Sequence, residues 1–143
     1  MRWLLAALAI SLTFTACRGV DSDLPSPYRS VAVPEEGLRS PEARARGRAL
    51  FAANCVLCHG ERGDGHGQRA SGFQKSPANF TDPYWRRGTT PRRVFFVIRE
   101  GLRGTPMPAW SFLSEDETWD LAAYVLSLAP APASSPNRPA PGR

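Results

Sequence analysis

Cys55-Val56-Leu57-Cys58-His59 brings two thiols and an imidazole within little more than one helical turn. Thiols three residues apart on a helix project to the same side. At that spacing they can add across the two vinyl groups of a porphyrin, and the histidine that follows can put a ring nitrogen on the iron. The spacing matters because the vinyl carbons and the iron are fixed points on one rigid ring. Three other chemistries use the same residue types. A redox-active thiol pair normally belongs to a βαβ unit, which the surrounding sequence does not provide. A zinc site could draw on Cys55, Cys58, His59 and His66, although adjacent Cys58 and His59 make an awkward tetrahedral pair. A Cys55–Cys58 disulfide would close too small a loop to stabilise much. Covalent haem is therefore the expected chemistry, with His59 as an iron ligand.

A sixth ligand separates a closed electron carrier from an open site. Once His59 is used, Met107 and His66 are the strong candidates. Met107 lies in Gly104-Thr105-Pro106-Met107-Pro108-Ala109-Trp110, where glycine and prolines favour an extended loop able to swing a thioether onto a ring face. A methionine filling a core gap is expected inside a helical apolar stripe instead. His66 sits between Gly65 and Gly67, a setting typical of a solvated loop residue. Met107 is the favoured axial ligand. Phe80, Phe95, Ile98 and Trp110 are expected to form an apolar surround that favours the reduced, less charged iron.

These residues need elements to hold them. Ser40-Pro41-Glu42 is a helix start, with a hydroxyl N-cap, proline at N1 and an acid in the first turn. That helix should run to about Asn54 with Ala43, Gly47, Leu50 and Phe51 on one face. Thr90-Pro91 starts a second helix through Val94, Phe95, Val97 and Ile98, ended by Gly101. Ser114 with Glu117 forms a capping box for a third, to about Leu128, with Leu121, Tyr124, Val125 and Leu128 at helical spacing. The glycine-rich stretch 60–72 reads as a loop, and 73–89 has no convincing period. Nothing reads as a strand pair, so the fold class is all-α with long loops. About 90 residues with three short helices bury little apolar surface, and a covalent haem would supply missing core.

The 143-residue length allows one ordinary domain and excludes multidomain enzymes and multispanning membrane proteins. Eighteen basic and 13 acidic residues give a net charge of +5, which permits acidic partners without indicating nucleic-acid binding. Arg86, Arg87, Arg92 and Arg93 could form a basic rim that steers an acidic partner, or simply a solvated face. Arg2 followed by the apolar run 3–16 reads as a secretory leader, too short to span a bilayer. Phe14-Thr15-Ala16-Cys17 resembles a bacterial lipobox, which implies lipidation at Cys17 and a location on the periplasmic side of a membrane; a plain cleaved signal peptide and an uncleaved short anchor are the competing readings, and the chain is exported in each. Residues 17–39, with Pro25, Pro27 and Pro34, read as a flexible tether reaching roughly 25 Å on average and about 75 Å at full extension. Residues 130–143 read as a disordered proline-rich tail, leaving 40–129 as the working domain.

Over residues 43–128 the chain resembles a class I cytochrome c, in particular the short monohaem domains of bacterial respiratory complexes. The resemblance is carried by Gly47 and Phe51, the Cys55–Gly60 motif, Gly63-Asp64-Gly65, Pro77-Ala78-Asn79-Phe80-Thr81-Asp82, the Ile98–Gly101 helix end, Gly104–Pro108 and Tyr124. It implies that the first and last helices cross with small Gly47 under the Tyr124 ring. It also implies a backbone carbonyl accepting the second ring hydrogen bond of His59, with Pro77 as the candidate; His66 departs from relatives that often carry proline there. The expected function is outer-sphere electron transfer through one haem c, without catalysis at the iron. Expected partners are redox proteins such as an oxidase, a quinol-oxidising complex or a reaction centre. A haem enzyme or gas sensor with an open sixth position is the alternative.

Overall fold

The computed structural model describes residues 21–129, and every regular element among them is helical. In chain order these are α1 (Ser26–Arg29), α2 (Glu35–Arg39), α3 (Pro41–Asn54), α4 (Val56–His59), a 3₁₀ turn (Ala70–Gly72), α5 (Pro83–Arg87), α6 (Pro91–Glu100) and α7 (Glu115–Ser127). The all-α expectation holds. The leader 1–16, Cys17 and the tail 130–143 lie outside the described residues.

The three long helices begin at their sequence caps. Ser40 Oγ accepts from the Ala43 amide at 3.2 Å, and Thr90 Oγ1 from the Arg93 amide at 3.1 Å. Ser114 Oγ accepts from the Glu117 amide while Glu117 Oε2 accepts from the Ser114 amide, completing the capping box. Ser114→Ala should cost about 1 kcal/mol. In a domain of this size that is a fall of roughly 4–8 °C in melting temperature; an unchanged thermal melt would show that the cap does not limit stability.

Helices α3 and α7 cross at Gly47, where an added Cβ would lie 1.9 Å from the Asp120 carbonyl oxygen and 2.9 Å from Tyr124 Cβ. The Phe51 and Tyr124 rings meet edge to face at 5.3 Å beside the crossing. Arg46 adds a tie that the sequence did not announce, forking both oxygens of largely buried Asp120 at 2.6 and 2.8 Å. Helix α6 buries Val94, Phe95 and Ile98 against this pair. Phe95 stacks on Trp119 with ring centres 4.4 Å apart.

The tether expectation fails from Asp21 onward. Leu24 is buried, and Val31, Val33 and Leu38 pack on the core. The Tyr28 ring meets Phe96 edge to face at 4.8 Å, and its hydroxyl donates to Glu100. Arg92 Nε donates to the Val31 carbonyl at 2.8 Å, and Asp21 accepts from the Thr90 hydroxyl. The prolines of the expected tether instead start helices, Pro27 within the first turn of α1 and Pro34 at the N-cap of α2. The apolar residues that anchor this strap follow no single period, so no pattern flagged them. Helix α5 was likewise missed; it starts from Asp82, whose carboxylate accepts from the Tyr84 amide at 2.8 Å.

Candidate functional site

Helix α3 runs out at Cys55, and α4 begins immediately, carrying Cys58 and His59. The Cys58 and His59 amides both donate to the Cys55 carbonyl, at 3.1 and 2.9 Å, which fixes the two thiols on one turn. Gly60, at φ +79°, then reverses the chain. The loop after it folds back over the motif: the Gly65 amide donates to the His59 carbonyl, Gly67 to Cys58, and Arg69 to Leu57. Gly67 is required by this close approach, since a Cβ there would lie 2.5 Å from the Leu57 carbonyl oxygen.

Both thiols are free. Burial, with a smaller contribution from Cys58, pushes the Cys55 thiol up to about 12. Burial thus disfavours the bare Cys55 thiolate. Among the described residues no group of three or more His, Cys, Asp or Glu side chains is placed to hold a metal ion. His66, the fourth potential zinc ligand, stands in solvent with its amide bonded to Asp64 at 3.1 Å.

Burial holds the His59 imidazole below its usual value, while the Ala78 carbonyl opposes the shift. Its Nδ1–H donates to the Ala78 carbonyl at 3.4 Å, and the ring stacks on Phe80 at 4.5 Å between centres. The acceptor is thus Ala78 and not Pro77. The Pro77 carbonyl instead lies where a Cβ on Gly65 would come within 2.7 Å of it. A neutral ring donating from Nδ1 leaves the Nε2 lone pair available as a ligand.

Met107 reaches the same cavity from another direction in the chain. Gly101 ends α6 at φ +72°, where a Cβ would meet the Met107 carbonyl oxygen at 2.7 Å. The Leu102 amide donates to that carbonyl at 3.1 Å, the Met107 amide to Thr105 Oγ1 at 3.2 Å, and the Trp110 amide to the Ile98 carbonyl at 2.9 Å. The 101–110 loop is therefore closed onto the end of α6.

Cys55, Cys58, His59 and Met107 line one cavity of about 380 Å³, floored by apolar side chains including Phe51, Ile98, Leu121 and Val125. That volume falls within the usual ligand-pocket range. Phe80 and Trp110 also line it, as expected; Phe95 does not, because it is turned into the core against Trp119. The cavity carries Lys75 and Arg93 among its lining, and the buried indole Nε1 of Trp110 has no hydrogen-bond partner. A flat apolar macrocycle with carboxylate arms would use the floor, the Lys75 cation and the orphaned donor. The residues present fit haem. Of the four arginines read as a rim, Arg92 and Arg93 pair with Asp21 and Asp23 of the strap.

The family described as "Cytochrome C oxidase, cbb3-type, subunit III" matches residues 42–125. The cbb3-type cytochrome c oxidase subunit CcoP of Rubrivivax gelatinosus is 38% identical over 104 residues, covering 71% of this chain and 32% of the relative. CcoP of Rhodobacter capsulatus is 37% identical over 101 residues, covering 64% of this chain and 32% of its own length. The chain thus spans about a third of the length of these curated relatives. Among solved structures, a chain of the reducing HAO-like protein complex of Kuenenia stuttgartiensis is similar with TM-score 0.58 and 33% identity, covering 64% of this chain and 46% of that one. No described helix is long and apolar enough to cross a membrane.

Proposed function

Since the chain belongs to the family of cytochrome c oxidase, cbb3-type, subunit III, we propose that it is an electron-transfer component serving a terminal oxidase. The chain is a cytochrome c domain, and that family implies a covalently attached haem c. A single Cys-x-x-Cys-His in the sequence supports one haem per chain. Cys55 and Cys58 would hold it through thioethers, with His59 and Met107 as axial ligands. When bound, it supplies a one-electron iron couple.

The protein's own contribution is to hold and shield. The Ala78 carbonyl and the Phe80 ring fix the tautomer and plane of His59. The closed 101–110 loop holds Met107 at the cavity, so little rearrangement is needed between oxidation states. Phe51, Ile98, Leu121 and Val125 exclude water and favour the less charged reduced form. Trp110 Nε1, buried and unpartnered, would be available to donate to a haem carboxylate. Convergence of the Cys-x-x-Cys-His thiols and Met107 on one apolar cavity carries this reading.

The oxidase is the favoured partner because the relatives are oxidase subunits; a quinol-oxidising complex or a reaction centre would supply or accept the same electron. Lipidated Cys17 would place the domain on the periplasmic side of a membrane. Met107→Ala tests the closed site. The unaltered protein should show a low-spin spectrum with the weak methionine-to-iron charge-transfer band and should not bind carbon monoxide readily when reduced. The variant should lose the band and bind carbon monoxide. Ready binding by the unaltered reduced protein would instead establish the enzyme or gas-sensor alternative.

A further inference from the structure

The strap leaves almost no slack between Cys17 and the folded body. Asp21 accepts from the Thr90 hydroxyl at the N-cap of α6 and lies 3.4 Å from Arg92. Asp23 pairs with Arg93, and Leu24 beside it is buried. Only Arg18, Gly19 and Val20 separate Cys17 from this fixed point. Four residue steps span at most about 14 Å.

The same corner carries an aromatic and cationic surface. Helix α5 ends at Arg87, three residues before Thr90, so the two α-carbons are at most about 11 Å apart. Tyr84 on that helix is 78% exposed, and the Arg87 guanidinium lies over its ring at 4.3 Å from the centre. An amphipathic ring of this kind sits well at headgroup level, and a guanidinium pairs with lipid phosphate. Arg92 and Arg93 are engaged by carboxylates of the strap, which shifts the outward cationic charge of this corner onto α5.

We propose that the Tyr84–Arg87 face of α5 is a membrane-docking surface, held against the headgroups of an anionic bilayer by the short linker from Cys17. This rests on the reading of Cys17 as the lipidated residue. The lipid supplies attachment and a high local concentration, so a weak contact is enough to orient the body. Trp85 of α5 and Arg93 of α6 both line the haem cavity, so docking of this corner fixes the tilt of the cavity against the bilayer.

The test uses the full acylated, haem-loaded chain reconstituted alone in vesicles containing phosphatidylglycerol and spread as oriented multilayers. The electron paramagnetic resonance signal of the ferric haem should change with sample tilt. That dependence should vanish on inserting a long Gly/Ser segment between Val20 and Asp21, in a Tyr84→Ser/Arg87→Ser variant with an unchanged haem spectrum, and in phosphatidylcholine alone. An acylated chain whose signal ignores tilt overturns the docking, as does a double variant that stays as ordered as its parent. Mass spectrometry of the N-terminal peptide separates this from failure of the anchor: an unmodified Cys17 overturns the anchoring reading and the proposal with it.

Discussion

Cys55→Ser combined with Cys58→Ser is expected to yield a protein that lacks covalent haem and is largely unfolded. Left unfilled, the cavity of about 380 Å³ would cost at most about 9 kcal/mol at roughly 24 cal/mol per Å³. Partial collapse and entry of water lower that figure, yet it remains comparable with the roughly 5–15 kcal/mol that stabilises a whole small domain. The apolar floor is built by α3, α6 and α7 together, so losing the filler strains every long helix at once. Loss of most far-ultraviolet circular dichroism, with no haem mass on the purified chain, is the expected result. A helical, cooperatively melting, haem-free product would sink the idea that the cofactor completes the core.

The second large effect is expected at Gly47. A Cβ there would sit 1.9 Å from the Asp120 carbonyl oxygen and 2.6 Å from its carbonyl carbon, both main-chain atoms of the facing helix. No side-chain rotation relieves a clash with backbone, so α3 and α7 must separate. Separation also pulls apart the Arg46–Asp120 fork and the Phe51–Tyr124 contact. Overpacking typically costs about 1–3 kcal/mol, and this case belongs at the upper end or beyond. Gly47→Ala should therefore lower the melting temperature of the haem-loaded protein by roughly 15 °C or more. A melt within about 3 °C of the parent would mean that the crossing tolerates a methyl group, on the same scale.

The parts legible in the sequence were those decided within a few residues. Ser40, Thr90 and Ser114 each mark a helix start because a cap oxygen and the amide that donates to it lie three positions apart. Cys55, Cys58 and His59 were legible for the same reason. Placement across long separations was not. Whether the Pro77 or the Ala78 carbonyl accepts the hydrogen bond from His59 Nδ1 depends on how the 60–69 loop stacks, which glycine spacing does not encode. Arg46 and Asp120 look like ordinary surface charges until α3 and α7 meet. Trp110 reads only as an apolar wall, although its indole N–H is a buried donor without a partner. The strap was missed because prolines and charges dominate its composition, while its few apolar anchors depend on a groove that exists only after α6 and α7 have packed.

The crossing of α3 and α7 also sets an order of events in time. Arg46 and Asp120 are 74 positions apart, an unusually distant pairing for a helical protein. Distant contacts form late, because the intervening chain must be closed before any packing energy is gained. In a chain that emerges N-terminus first, α3 has only the short α2 and α4 beside it until α7 arrives. Through that interval Cys55 and Cys58 remain reachable, although the finished fold half-buries both. A late-arriving partner helix would thus leave a window in which a porphyrin could be joined to the chain before the crossing closes.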